Sequence, residues 1–305
     1  MTSKLRAGVI GAGVFGGYHG AKYAELDDVT LAAVFDPHPE RAQAMAERLG
    51  GHAAGDLAEF FAGVDVVSIA APATVHGALA LATLRAGKPV YIEKPIATAP
   101  EEADAIVALA AERGLTVATG FLERAAFAAM GLFEIPRPPL RMEAARLGPP
   151  SPRNLDVSVV IDLMIHDLDL ALALTDAAPL AVEAEGRQVV NSLLDAVEAE
   201  VVFEDGFTAD FRASRVADDR ARTLTLFYPN GEVRLDLLAG TFVNTTPYPL
   251  NGEFEATPAG RDRLGASLGA FLSAVRGETP RPLADAADGA RALDLALAVE
   301  QAVGG

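Results

Sequence analysis

The sequence predicts an α/β protein in two parts. Residues 1–120 read as a doubly wound parallel sheet. Residues 121–305 read as a second α/β part built on a large, mostly antiparallel open sheet. Three observations lead there. Strand-like apolar runs alternate with helical stretches up to residue 120, as they do where helices cross over between parallel strands. A glycine-rich turn follows the first run directly. Beyond residue 120 the hydrophobic period drops to two, with turn signals between the runs.

Taken in order, residues 5–10 (LRAGVI) form a buried strand, 17–26 a helix and 29–35 (VTLAAVF) a second strand. PHPERAQAMAERLG reads as a helix, with proline near its start and glycine at its end. VDVVSIA (64–70), a helix over 73–87, PVYIE (89–93), a helix at about 100–113 and LTVATG (115–120) continue the alternation. A stretch rich in proline and arginine (136–153) leads to an apolar helix that begins DLMIHDLDL. The period-2 strands AVEAEG, DAVEAEVVF, FTADFRASRV, RTLTLFYP and EVRLDLLAG follow, with turns at EDG (204–206) and PNG (229–231). The tail from about 264 to 303 is helical in pattern.

Composition narrows the function classes. Half of the 305 residues are hydrophobic, enough for a full core in each part. The absence of cysteine excludes disulfides, thiolate nucleophiles and zinc–thiolate sites. A net charge of −17 opposes nucleic-acid binding. No long uncharged apolar run and no secretory leader stand in the sequence, so a cytoplasmic location off the membrane is expected.

The turn Gly11-x-Gly13-x-x-Gly16 sits between a strand and a helix. The first glycine permits the tight turn, the second lets a pyrophosphate approach the backbone, and the third lets helix and strand pack closely. The second strand ends at Asp36, where a carboxylate can hold both ribose hydroxyls. A dinucleotide site follows, with NAD favoured over NADP because a 2′-phosphate would meet that carboxylate.

Only four of the 25 cationic residues are lysine, at positions 4, 22, 88 and 94. This chain uses arginine wherever any positive charge suffices, so a lysine at the end of a strand raises a chemical question. Lys94 ends the strand PVYIE, within Glu93-Lys94-Pro95, where ligands of parallel sheets bind. Glu93 could tune or orient it.

In the helix of DLMIHDLDL, a step of about 100° per residue puts Asp162, His166 and Asp169 on a stripe about 60° wide. Asp167 lies apart, and the remaining surface is apolar. Such a helix is mostly buried, and its polar seam must face something polar. His166 is the one histidine of the second part. A general base, a structural Asp–His pair and a metal site are the readings open to it. Metal is the weakest, since no further ligand stands out.

With these residues in view, the chain resembles the Gfo/Idh/MocA family of dehydrogenases over nearly its whole length. The resemblance is carried by GVIGAGVFG, Asp36, the block APATVHGALALATLRAGKPVYIEKP and DLMIHDLD. It implies a Rossmann domain followed by a sheet domain that often joins subunits, hence a homodimer or homotetramer. It matches Lys94 to the family's signature lysine, and Asp162 and His166 to its Asp-x-x-x-His pair. It places Val14, Phe15, Ala71, Pro72, His76 and Glu93 with Gly11, Gly13, Gly16, Asp36 and Lys94 along the cofactor. One departure is visible: Ala71-Pro72-Ala73 stands where the family often has Thr-Pro-Asn. The resemblance implies that His166 takes the proton of a substrate hydroxyl, Asp162 orients His166, and Lys94 polarises the oxygen.

Arg146 and Arg153 flank GPPSP ahead of the helix, and Arg124 lies upstream in GFLERAAF. The first two are either surface arginines or a phosphate clamp. With Asp169, all three are candidate substrate contacts. The phrase RLGPPSPRNLDVSVVIDLMIHDLDL is similar to one branch of the family, the UDP-N-acetylglucosamine 3-dehydrogenases. The expected substrate is therefore a UDP-N-acetylhexosamine. Another sugar or inositol dehydrogenase, or a non-catalytic NAD-dependent regulator, is the alternative.

Overall fold

The computed structural model describes residues 4–151, 155–190 and 192–304. The chain divides into two compact units: Met1–Leu122 with Leu264–Ala290, and Glu123–Arg263 with Arg291–Gly305.

The first unit runs β1 (Leu5–Ile10), α1 (Val14–Glu25), β2 (Val29–Phe35), α2 (Pro39–Leu49), β3 (His52–Ala53), α3 (Leu57–Gly63), β4 (Val66–Ile69), α4 (His76–Arg85), β5 (Val90–Ile92), α5 (Pro100–Arg113) and β6 (Val117–Thr119). Its six strands pair in the order β3-β2-β1-β4-β5-β6, all parallel. The order reverses between β1 and β4, so a crevice for a ligand lies beyond their carboxyl ends. Strands covered on both faces show no alternation, and β4 is buried at every residue. Helix starts follow local chemistry: Pro39 and Pro100 open α2 and α5, and the Asp56 carboxylate accepts from the Glu59 amide at the head of α3. The sequence reading lacked β3 and α3. A two-residue strand and a seven-residue helix are too short for a hydrophobic period to declare itself.

The second unit holds α6 (Glu123–Met130), β7 (Arg141–Leu147), a π turn (Val160–Met164), α7 (Ile165–Leu174), β8 (Pro179–Arg187), β9 (Ala196–Phe203), β10 (Thr208–Ser214), β11 (Ala221–Tyr228), β12 (Gly231–Asp236), β13 (Thr241–Asn244) and α8 (Pro258–Arg261). Its sheet has the order β13-β12-β11-β7-β10-β9-β8. Every pair is antiparallel except β7 with β10. The predicted fold class stands. One correction concerns β7, which lies in the middle of the sheet although 136–153 reads as a connecting stretch. Its buried positions are Met142, Ala144 and Arg146, none of them the β-branched or aromatic residues that mark a strand.

Two helices complete the chain. In α9 (Arg263–Val275), Leu268, Phe271 and Leu272 join the core of the first unit with Val9, Val34, Val66 and Tyr91. The Tyr91 hydroxyl lies 2.9 Å from that of Ser267. In α10 (Ala286–Val303), Ala286–Ala290 belong to the first unit and Arg291 onward to the second. Among the described residues, no helix is long and apolar enough to cross a membrane.

Candidate active site

The glycine turn of the first unit joins β1 to α1. Gly11 has φ +98°, which favours glycine, and a Cβ there would lie 2.6 Å from the Ala70 carbonyl oxygen. A Cβ on Gly16 would lie 1.7 Å from the Gly11 carbonyl oxygen, so the helix can meet the turn only without one. Around Gly13, by contrast, a Cβ would meet nothing within 4 Å. The first turn of α1 carries no acidic residue. Open space at Gly13 and an uncapped helix N-terminus suit a pyrophosphate. Val14 and Phe15 are exposed at this end of α1.

Asp36, one residue beyond β2, ties the turn to its neighbour. One of its carboxylate oxygens accepts from the Ala12 amide and the other from the His38 amide, each at 2.8 Å. Both oxygens keep lone pairs for ribose hydroxyls.

Two of the expected cofactor residues, His76 and Glu93, make buried contacts within the protein. The ring of His76 is buried, with Nδ1 2.7 Å from the Pro95 carbonyl oxygen and Nε2 2.8 Å from that of Ala71. It braces the loop at Ala71-Pro72 against the Lys94–Pro95 segment. Glu93 is also buried, and its carboxylate lies 2.9 Å from Nε2 of His19. Nδ1 of His19 is 3.1 Å from the Ser68 hydroxyl, which in turn meets Tyr23 at 2.7 Å. Glu93 thus anchors a buried chain through His19 and Ser68 to Tyr23. Lys94, half-buried, follows β5 at the carboxyl edge of the sheet.

The second unit holds the other cluster. Predicted burial of the DLMIHDLDL helix is borne out: Met164, Ile165, Leu168 and Leu170 are fully enclosed. Its polar geometry differs from the expected stripe. Residues 160–164 wind as a π turn, with the Ile165 amide reaching the Val160 carbonyl, so a constant step per residue does not apply. Asp162 lies inside this turn and His166 just after it, both half-buried.

Glu123 is a partner of His166 that joins it from another helix. Nδ1 of His166 lies 2.9 Å from Oε2 of Glu123, the first residue of α6. The other Glu123 oxygen accepts from Nη1 of Arg146 at 3.0 Å. Burial pushes the Glu123 pKa up, but the charges of His166 and Arg146 outweigh it and hold the carboxyl well below its usual range. An ionised carboxylate can only accept, so Nδ1 of His166 carries a proton towards it.

Arg146, Arg124 and Asp169, the expected substrate contacts, are each buried in ion pairs within the second unit. Arg146 is buried, with Nε and Nη2 on the two Asp167 oxygens at 3.1 and 2.9 Å. Burial lowers its pKa, yet Asp167 and Glu123 together raise it above the ordinary value. Arg124 and Asp169 form a second enclosed pair, with Nε and Nη2 of Arg124 2.9 and 2.7 Å from the carboxylate oxygens. Their physical reason is shared: buried charges need partners, and α6 and β7 supply them. Arg153 lies outside the described residues.

Comparison with known proteins now adds to this geometry. Residues 5–121 match the GFO_IDH_MocA oxidoreductase family with its NAD-binding Rossmann fold, and residues 140–234 match the family's C-terminal domain. The UDP-N-acetylglucosamine 3-dehydrogenase of Acidithiobacillus ferrooxidans is 38% identical over 98% of this chain and 97% of its own. The chain belongs to the Gfo/Idh/MocA family of oxidoreductases. A solved structure of that Acidithiobacillus enzyme superposes with a TM-score of 0.91 at 37% identity, covering 98% of each chain. The scyllo-inositol 2-dehydrogenase (NAD(+)) of Bacillus subtilis is 29% identical over 71% of this chain and 69% of its own.

Within this Gfo/Idh/MocA chain, Glu123 is the residue of the His166 cluster that the sequence reading does not name. A signal for it existed. The helix ERAAFAAM starts with two charged residues and is otherwise apolar, the pattern that marked DLMIHDLDL.

Proposed function

We propose that this protein oxidises a secondary hydroxyl of a sugar, the 3-hydroxyl of a UDP-N-acetylhexosamine, with NAD as the hydride acceptor. The observation that carries the chemistry is His166, fixed through Nδ1 by the ionised Glu123. Similarity to the Acidithiobacillus enzyme along nearly the whole chain supports the choice of sugar.

The residues present fit NAD. Gly11, Gly13 and Gly16 shape the turn for its pyrophosphate, Asp36 takes the adenosine ribose, and the Asp36 carboxylate disfavours a 2′-phosphate. Bound there, NAD supplies the hydride acceptor. Nε2 of His166 takes the proton of the substrate hydroxyl as its C–H bond is broken. Glu123 stabilises the imidazolium that results. The Lys94 ammonium holds the substrate oxygen and favours its developing negative charge. Asp162, four residues before His166, shares in orienting it, as the family's Asp-x-x-x-His pair implies. The uncovered face of the second unit's sheet, with Glu143, Glu200 and Arg212 exposed, supports association of copies into a dimer or tetramer.

The test is NADH formation by the purified protein against UDP-N-acetylglucosamine, UDP-N-acetylgalactosamine, free N-acetylglucosamine and inositols. NADH with the UDP-N-acetylhexosamines and not with inositols is expected. Turnover of inositols alone would favour the reading that the Bacillus relative suggests. Saturable NAD binding with no turnover of any would make the protein a regulator.

A further inference from the structure

Arg222 is the second residue of β11 and faces Arg146 of β7 directly across the antiparallel pair. Alternation puts Arg222 on the sheet face of Leu224, Leu226 and Tyr228, whose side chains are buried, while Thr223 beside it is exposed. The same face of β7 carries Met142, Ala144 and Arg146. Two guanidiniums therefore stand side by side at the end of the covered face.

They differ in how their charge is met. Arg146 has the carboxylates of Glu123 and Asp167. Arg222 is half-buried, and among the described residues its side chain makes no hydrogen bond or ion pair. Burial, then the charge of Arg146, hold its pKa below the ordinary guanidinium value; the charges of Glu123 and Asp167 offset this only in part. Arg263, the other cation acting on it, is itself hydrogen-bonded to Glu255 at 2.6 Å. A guanidinium cannot shed its proton, so a half-buried one without a carboxylate calls for an anion from outside. Its neighbour Glu123 is the residue that holds His166, which puts this cation at the proposed site of chemistry.

We propose that Arg222 is the anion-binding residue of the second unit and takes a phosphate oxygen of the sugar nucleotide. This rests on the proposed function and gives to β11 the role that the sequence suggested for Arg146 on β7. A planar fork of donors suits a phosphoryl group, and a diphosphate offers several oxygens to it. The contact is one of binding, so its loss falls on substrate affinity more than on the rate of hydride transfer.

Calorimetric titration of the full-length protein with UDP, inorganic pyrophosphate and uridine tests it, on Arg222→Met, Arg222→Lys and the parent. For UDP and pyrophosphate, Arg222→Met should weaken binding by roughly 10–100-fold and Arg222→Lys by less, while uridine, which has no phosphate, binds alike in all three. Melting curves check that each variant is folded; should Arg222→Met fail to fold, Arg222→Gln replaces it. Unchanged UDP affinity in the neutral variant overturns the proposal, as does an equal loss for uridine or a parent protein that binds neither UDP nor pyrophosphate. If the parent oxidises no UDP-sugar yet binds pyrophosphate through Arg222, the anion site stands and the substrate assignment falls.

Discussion

At Glu123 one carboxylate does two things. It fixes the imidazole of His166 and it neutralises Arg146, both at hydrogen-bond distance inside the second unit. The two neighbours should therefore fail in different ways. Replacing His166 with alanine removes the base and should lower turnover by roughly 10²–10⁴-fold with little change in melting temperature. Arg146→Met leaves Glu123 and Asp167 buried without their cation, and should cost about 3–5 kcal/mol of stability in a denaturant titration. A stable Arg146→Met protein with weakened substrate affinity would instead restore Arg146 as a substrate clamp. At this scale the sequence was partly legible. His166 stood out as the one histidine of its half, and Lys94 as a lysine in an arginine-rich chain. The Glu123–His166 contact joins residues 43 apart on different helices, and no local spacing reports such a pair. The same holds for Arg124 with Asp169 and Arg146 with Asp167: the sequence shows four charges in apolar surroundings but not which ones cancel.

Among the elements, the β1–α1 turn was read most fully, because its glycines answer to backbone geometry alone. The two kinds of glycine give a sharp contrast. Gly16→Ala sets a methyl group against the Gly11 carbonyl and should lower both the melting temperature and NADH affinity. Gly13→Ala meets no protein atom, so the variant should melt like the parent yet bind NADH more weakly, as measured by fluorescence titration. Equal NADH affinity in Gly13→Ala and the parent would place the pyrophosphate elsewhere. The DLMIHDLDL helix was legible in its burial but not in its phase. The π turn at 160–164 depends on packing, and nothing in VIDLM distinguishes it from one more α-helical turn. β7 was lost for a related reason, since its central place in the sheet is taken by alanine and a buried arginine rather than by β-branched residues.

For the molecule as a whole, charge sets the response to acid. A net −17 repels itself at neutral pH, and that repulsion relaxes as pH falls towards 5. Opposing it are carboxyls whose native pKa lies below the unfolded one. Glu123 is held well below 4.5. At Asp195, burial is outweighed by the amides of Val190 and Val189 and by Arg215, and its pKa falls from 3.8 to about 2. Such groups stabilise the fold above the unfolded pKa and lose that contribution as pH drops through the native value. The melting temperature should hold or rise slightly from pH 7 to about 5, then fall steeply between about pH 4.5 and 2. A melting temperature that climbs through that acid range would contradict these assignments. The division into two units was visible in the change of hydrophobic period near residue 120. The sequence reading also allows the C-terminal helical tail to pack back on the first domain, although no local pattern marks which residues do so; residues 264–290 fall in the first unit.

The most direct test of the central claim follows the hydrogen itself. UDP-N-acetylglucosamine carrying deuterium only at C3 is incubated with the protein and NAD, and the NADH formed is analysed by mass spectrometry. The account predicts NADH that contains the deuterium, a 3-keto nucleotide sugar as co-product, and a loss of both signals in the His166→Ala variant. NADH without deuterium would move the oxidation to another carbon, and no NADH at all from this substrate would contradict the assignment.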